Sequence, residues 1–302
     1  MTPETELIPK RPLGATGENV SMLALGGSHI GSIKDERAAI NFIRAAIEMG
    51  VTFMDNAWEY HEGRSEEIMG RALEDGFRER VFLMTKHHGR NKAAAMRHLE
   101  DSLRRLRTDV IDLWQFHEVI YNDDPDMIFA PGGGIEAAEE AKRAGKVRYV
   151  GFTGHKDPAI HRRMLDTGYD WDTVQMPLNV MDAHFRSFEQ NILPILVERN
   201  IGVLGMKPLG GGYILESEVV SAREALSYVW SLPVSTVICG MNEMDHLREN
   251  VDAARTWTRP DDADIADLMA RTREAAADGR HERYKTDVVF DAGVGRQMHG
   301  LE

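Results

Sequence analysis

VTFMDNAWEY (51–60), VFLMTK (81–86) and IDLWQFH (111–117) are the three stretches that decide the fold. Each is a short apolar run that closes on, or just ahead of, a side chain able to do chemistry. These side chains are Asp55 and, five positions later, Tyr60; then Lys86; then His117. Between the runs lie SEEIMGRALEDG (65–76) and NKAAAMRHLEDSLRRLRT (91–108), whose apolar residues recur at helical spacing. A polar residue at each strand's C-terminal end, with a helix between successive strands, is the pattern of a (β/α)₈ barrel. In that fold all strand ends converge on one face, where the active site is built.

The rhythm continues in both directions. RPLGATGENVS (11–21) reads as an N-terminal β-hairpin with its turn near Gly-Glu-Asn, and MLALGG (22–27) as a buried strand. DERAAINFIRAAIEMG (35–50) is a helix with a glycine stop, and Ser65 is a candidate cap for the next one. Residues 118–134 form a long Pro/Asp/Gly-containing loop before the helix IEAAEEAKRAG (135–145). Then follow VRYVGFTG (147–154), the helix DPAIHRRMLDTG (157–168), TVQM (173–176) and FEQNILPILVERN (188–200), a helix kinked at Pro194. IGVLGMK (201–207), a glycine-rich loop at 210–212, a helix over about 218–232, TVICG (236–240) and EMDHLRENVDAAR (243–255) complete eight alternations. DADIADLMARTREAAADG (262–279) is an extra helix, and the aperiodic C-terminus reads as a loop. We expect one α/β domain: hairpin about 10–20, barrel about 21–256, extra helix and C-terminal loop 257–302. The rival doubly wound sheet needs GxGxxG between strand and helix; Gly26-Gly27-Ser28-His29-Ile30-Gly31 follows a strand but lacks that spacing.

A net charge of −13 over 302 residues, with pI near 5.4, disfavours nucleic acid and anionic membranes as partners. The basic run RHLEDSLRRLR (97–107) is interleaved with leucines and acids and reads as a solvated helix face. The single cysteine, Cys239, sits in an apolar strand and reads as a buried structural thiol. No N-terminal apolar segment and no run of transmembrane length is present, so a cytoplasmic location is expected. His87 and His88 are adjacent and no carboxylate recurs at ligand spacing, so no metal is expected.

Taken singly, Tyr60 reads as a loop aromatic, Lys86 as a solvated strand end and His117 as a core histidine. Their joint placement on the second, third and fourth strands reverses those readings. Tyr60 can deliver a proton to a carbonyl oxygen. Lys86 is expected to lower the tyrosine's pKa, Asp55 to hold Lys86, and His117 to donate to the same oxygen.

The ordered series of motifs from Arg11 to about Arg255 resembles the aldo-keto reductases. It comprises RPLGATGENVSMLALG, DNAWEYHEGRSEEIMGRAL, MTK, DLWQFH, GKVRYVGFTG, VQMPLN and LREN. The resemblance implies reversible carbonyl reduction with NAD(P)H, Tyr60 as general acid, Lys86 and His117 tuning it, and Asp55 anchoring Lys86. It implies cofactor contacts at Gly26, Gly27, Asp55, Thr153, Gly154, Gln175, Met206, Lys207, Pro208, Leu209, Gly210, Gly240, His246, Glu249 and Asn250. Gly154 stands where the family usually has Asn, and Met206 where it usually has a stacking aromatic. The positions expected to read a 2′-phosphate hold Gly240, Met241 and His246 rather than Lys or Arg, so NADPH is expected only narrowly ahead of NADH.

Candidates for the substrate pocket, which takes a small-molecule carbonyl, alcohol or sugar, are His29, Trp58, His87 and Asn179, with His88 and Tyr213 beside them. Strand alternation turns Trp114 outward. Two alternatives stay open: a nucleotide-sensing regulatory subunit of the same fold, and a Schiff-base lyase using Lys86.

Overall fold

The computed structural model describes residues 7–287 and 294–300. Its first two strands, β1 (Lys10–Pro12) and β2 (Asn19–Ser21), pair antiparallel as the expected hairpin. Eight parallel strands then close into a barrel: β3 (Leu23–Gly26), β4 (Phe53–Asp55), β5 (Phe82–His87), β6 (Ile111–Phe116), β7 (Val147–Thr153), β8 (Thr173–Pro177), β9 (Gly202–Met206) and β10 (Thr236–Gly240). Closure comes from β10 pairing with both β9 and β3.

The hairpin plugs the N-terminal end of this barrel. Leu13 and Val20 pack with Ala24, Phe53, Phe82, Met84, Leu113, Leu204 and Ile238, which point inward. Gly14 has a φ of +53°, and a Cβ there would lie 2.3 Å from the Gly202 nitrogen. Only glycine allows the hairpin turn to approach β9 this closely.

A second apolar layer fills the space between barrel and helices. The helix Glu36–Glu48 is capped by the Asp35 side chain and presents Ala39, Phe42, Ile43, Ala46 and Ile47 to it. In the helix Arg64–Ala72 the expected cap is displaced. Gly63 holds the cap position, and the Ser65 hydroxyl instead donates to the Gly27 carbonyl at 2.7 Å. Gly70 lets this helix touch the next, Lys92–Leu106, since a Cβ would fall 2.3 Å from the Arg105 carbonyl. Arg97, Arg104 and Arg107 are exposed, as the solvated-face reading requires, but Arg105 turns inward to Glu66 at 3.3 Å. Cys239 is buried, and burial pushes its thiol up to about 12. The segment around Pro194 breaks into two helices, Phe188–Asn191 and Leu193–Glu198, with the proline in the first turn of the second.

Two expected loops are more ordered than periodicity indicated. Residues 118–134 contain the helix Asp124–Phe129. The C-terminus packs back on the barrel mouth, with 288–293 and 301–302 lying outside the described residues. There Lys285 is buried between Asp182 at 2.6 Å and Glu282 at 2.9 Å, and the Tyr284 hydroxyl donates to Glu282 at 2.6 Å. Hydrophobic period cannot reveal such a segment, because buried charges hold it. Among the described residues no helix is long and apolar enough to cross a membrane.

The loops after β5 and β6 are fastened by one arginine. Arg90 is fully buried, pairs with buried Asp124 at 2.8 Å, and donates to the carbonyls of His88, His117 and Glu118. Burial would raise the Asp124 carboxyl, but the Arg90 guanidinium outweighs it and holds it below its ordinary range. Asp124 also accepts from the backbone nitrogens of Ile120 and Tyr121 at 2.9 Å each. Arg90→Met leaves a buried carboxylate unpaired, so we expect a loss of about 3–5 kcal/mol. Urea denaturation measures it: the midpoint should fall with an unchanged slope, whereas a wild-type midpoint refutes this role.

Candidate active site

The C-terminal ends of β4, β5 and β6 carry the site. Asp55 ends β4, and β5 places Lys86 on its inner face, as the parallel register sets Asp55 beside Met84 and Lys86 beside Gln115. The Lys86 ammonium lies 2.5 Å from Asp55, 2.8 Å from the Asn56 carbonyl and 3.3 Å from the Tyr60 hydroxyl. Both charged side chains of the pair are almost wholly buried. The Tyr60 and His117 rings meet edge to face, 5.7 Å between centroids. The four residues singled out from sequence are therefore brought together.

The electrostatics differ from expectation at Tyr60. Burial, then the carboxylates of Asp55, Glu59 and Glu118, push its phenol well above the ordinary value. Lys86 does not reverse this, because Asp55 already neutralises its charge at 2.5 Å. Burial likewise raises Asp55, with Lys86 acting against it. The outcome is a phenol that keeps its proton in the substrate-free site.

Glu59 belongs to the site and was missed. One of its carboxylate oxygens lies 2.7 Å from His117 Nδ1, the other 3.3 Å from His88 Nε2. Burial would raise this carboxyl, but the two imidazoles outweigh it and hold it well below its usual range. These three side chains also place possible ligand atoms within 4.8 Å of one another. No periodicity marks Glu59; the available signal was an acid directly before the candidate general acid.

A separate sector, β7 to β10 and β3, presents the residues expected at a cofactor. Thr153 is in register with Gln175, and Met206 with Pro177. The Thr153 hydroxyl points at the Met206 sulfur, 3.9 Å away. Gln175 is buried, and its Oε1 has no hydrogen-bond partner. A carboxamide donor would satisfy that atom, so the sector fits a nicotinamide. Gly154 has a structural cause: a Cβ there would lie 2.3 Å from the Val119 carbonyl, so no side chain could reach a cofactor. Lys207 has a φ of +53° and leads through Pro208 and Leu209 into Gly210, whose nitrogen donates back to the Lys207 carbonyl at 2.9 Å. Gly26 pairs with Gly240 and Asp55, and a Cβ on Gly27 would meet the Asp55 carbonyl at 2.6 Å. His246 and Glu249 are exposed and Asn250 half-buried on the helix Met244–Arg255, where Arg248 is paired with Asp245 at 3.1 Å.

The substrate candidates scatter. Trp58 stacks on His98 at 3.8 Å and donates to Asp101, turning toward the helix Lys92–Leu106 rather than the mouth. His87 lies on the outer face of β5, stacked on Trp114 at 3.9 Å. Strand alternation is the reason: Lys86 points in, so His87 points out. The Asn179 amide is taken up by Tyr284, Glu282 and the backbone of Met181 and Asp182. The Tyr213 hydroxyl accepts from Arg283 at 3.0 Å. His29 lies against Gly240, where an added Cβ would meet its ring at 2.2 Å, which puts it on the cofactor side. His88 alone of these candidates adjoins His117, 4.9 Å between ring centroids.

Lys86→Met tests the buried pair. It leaves the Asp55 carboxylate alone in the interior, a cost of about 3–5 kcal/mol, and adding Asp55→Asn should return most of it. The variant's Asp55 titrates still higher when folded than unfolded. Its folded state therefore gains stability as pH falls through that raised value, so the deficit against wild type should be smaller at pH 5 than at pH 8. Equal deficits at both pH values would show that Asp55 is not the stranded charge.

The sequence matches the family model described as the Aldo/keto reductase family over residues 22–224. The chain is 28% identical to the oxidoreductase YqkF of Bacillus subtilis, over 88% of this chain and 97% of that protein. It is 26% identical to the L-galactose dehydrogenase of Arabidopsis thaliana, over 82% of this chain and 88% of that one. The solved holo form of the aldo-keto reductase AKR11C1 from Bacillus halodurans aligns with a TM-score of 0.75 and 26% identity, covering 91% of this chain and 99% of that one. This chain belongs to the aldo-keto reductase family and is an NAD(P)-dependent oxidoreductase.

Proposed function

We propose that this protein reduces the carbonyl of a small aldehyde or ketone, with Tyr60 protonating the oxygen. The observation that carries this reading is the Tyr60 hydroxyl, 3.3 Å from a buried ammonium and kept in its proton-bearing form. When bound, the dihydronicotinamide supplies the hydride. The chain's own part is to hold the substrate oxygen near Tyr60 and His117 and to stabilise the negative charge that develops there. Lys86 donates to the Tyr60 oxygen at 3.3 Å and so orients the phenol, while Asp55 and the Asn56 carbonyl fix the ammonium.

The cofactor would lie with its nicotinamide end on Thr153, Gln175 and Met206, its pyrophosphate along Lys207–Gly210, and its adenosine end near His246, Glu249 and Asn250. We take hairpin, barrel and C-terminal segment as one domain, because Lys285 joins the tail to Asp182. The lyase alternative is disfavoured: a Schiff-base nucleophile must be a free amine, and Lys86 is held as the partner of Asp55. A regulatory subunit would not require the catalytic residues to be assembled.

Tyr60→Phe is expected to cut carbonyl reduction by about 10²–10⁴ while leaving the NADPH dissociation constant unchanged. A carbonyl panel followed at the nicotinamide absorbance, with fluorescence titration of cofactor, reads both. Near wild-type turnover in the Phe variant would reject the general-acid role.

Cofactor choice provides a second test. With Arg248 paired to Asp245 at 3.1 Å, His246 is the side chain we assign to a 2′-phosphate. His246→Arg should tighten NADPH by about 1–2 kcal/mol and leave the NADH dissociation constant unchanged. An unchanged NADPH dissociation constant in the variant would locate the phosphate contact elsewhere.

A further inference from the structure

Glu59, His88 and His117 meet at the mouth of the barrel, each supplied by the loop after a different strand. Glu59 follows β4, His88 comes directly after β5 and His117 directly after β6, with 29 residues from each to the next. Each offers an atom that metals take, a carboxylate oxygen or an imidazole nitrogen, and the three atoms lie within 4.8 Å of one another. The Glu59 carboxylate faces His88 Nε2 at 3.3 Å and His117 Nδ1 at 2.7 Å, yet neither contact is aligned as a hydrogen bond. Among the described residues, Glu59 Oε2, His117 Nδ1 and both nitrogens of His88 lack a hydrogen-bond partner. The His88 side chain is 1% exposed, so bulk water does not satisfy it. Buried polar atoms are partnered as a rule, and orphans of this kind gathered in one place ask for a cation.

We propose that Glu59, His88 and His117 form a binding site for one divalent first-row transition-metal ion, with zinc as its representative. This goes beyond the carbonyl-reductase reading and does not depend on it. Two imidazoles and one carboxylate are a ligand set that zinc takes, and three protein ligands leave the fourth tetrahedral position open. The hard ions magnesium and calcium are disfavoured, because they take sets of oxygen ligands. Donors 2.0–2.1 Å from a tetrahedral ion stand about 3.3 Å apart, and Glu59 and His88 already hold that separation. The Glu59–His117 separation of 2.7 Å is shorter by roughly 0.6 Å and opens by a small turn of the carboxylate. An imidazole ligated through one nitrogen keeps its proton on the other. His117 bound through Nδ1 therefore still carries an Nε2 proton for a substrate oxygen.

The surroundings hold the donors in place. Arg90 donates to the carbonyls of His88 at 3.2 Å and His117 at 2.8 Å, so one buried guanidinium fixes the backbone of both imidazoles. Its own charge is taken by Asp124 at 2.8 Å. On the other flank the Trp58 nitrogen donates to the Lys86 carbonyl at 2.9 Å, and Arg105 donates to the Trp58 carbonyl at 2.8 Å. These bonds anchor the residue before Glu59. The neighbouring ammonium of Lys86 is neutralised by Asp55 at 2.5 Å, which leaves the Glu59 carboxylate to balance the ion. Spacing along the chain does not show this site, which is why no metal was expected from it. His87 turns away to stack on Trp114, and the carboxylate that joins His88 comes from another loop.

The test uses the full chain without an affinity tag, stripped with a chelator and titrated with Zn²⁺ by calorimetry and with Co²⁺ by visible absorption. Wild type should bind one equivalent of either ion with micromolar affinity or tighter, and Co²⁺ should give the intense d–d bands of a tetrahedral site. Zn²⁺ should also raise the melting temperature. Glu59→Gln and His88→Ala should each weaken Zn²⁺ by at least about 10²-fold and remove the cobalt bands and the melting shift. His184→Ala, which removes a ring bonded to Thr272, should bind like wild type. If one ligand variant fails to fold, the other carries the same comparison. Imidazole ¹⁵N spectra of the wild type need no variant: Zn²⁺ should shift the ring signals of two histidines. A wild type that takes up neither ion at stoichiometric concentration, or whose histidine signals do not move, overturns the proposal. So does one equivalent of Zn²⁺ held with wild-type affinity by both Glu59→Gln and His88→Ala, which would place the ion elsewhere. None of these readouts uses turnover, so their outcome is separate from that of the reductase reading, which Tyr60→Phe decides.

Discussion

The buried pair between Asp55 and Lys86 is the interaction on which the site depends. Two opposite charges sit 2.5 Å apart with almost no exposure, where separating them would leave a charge in a medium that solvates it poorly. The pair fixes the end of β4 against β5, and the Asn56 carbonyl takes another of the ammonium's bonds. It also explains why Lys86 does not draw the proton from Tyr60. A cation already neutralised by one carboxylate has little field left, and two further carboxylates, Glu59 and Glu118, act the other way.

Some of the chain's strained backbone follows the strand ends that carry the site. His61 and Glu62, directly after Tyr60, Glu118, directly after His117, and Lys207, at the end of β9, all have positive φ without being glycine. Side chains at such angles cost free energy and persist where the surroundings fix them. Arg90 does this for the β6 loop by binding the His117 and Glu118 carbonyls. The His61 ring, bonded to the Ser28 carbonyl at 2.8 Å, does it for the turn after Tyr60. Strand ends supply the reacting groups, and strained first loop residues aim the chain away from them.

The parts of the site that could be read from sequence are those carried by strands. Asp55, Lys86 and His117 each close an apolar run, and a strand end is visible because hydrophobic alternation stops there. The same rule placed Trp114 outward, yet it was not applied to His87, its neighbour in space. Alternation from Lys86 already sent that ring to the outer face. Trp58, Asn179 and Glu59 lie in loops, where nothing in the local pattern tells which way a side chain turns. Trp58 went to His98, Asn179 to the C-terminal segment, and Glu59 into the site.

From the chain alone came the barrel, its hairpin plug, the order of eight strands and the four groups at their ends. These rest on local physics: a period of two or of 3.6, a glycine stop, a polar residue after an apolar run. Only the tertiary structure decided which loop side chains meet and what charge each then carries. The contacts of Arg90 with Asp124, of Lys285 with Asp182 and of Glu59 with His117 join segments 34, 103 and 58 residues apart. Their electrostatics come from burial and from neighbours across the barrel mouth, and neither is a property of the residues next to them in the chain.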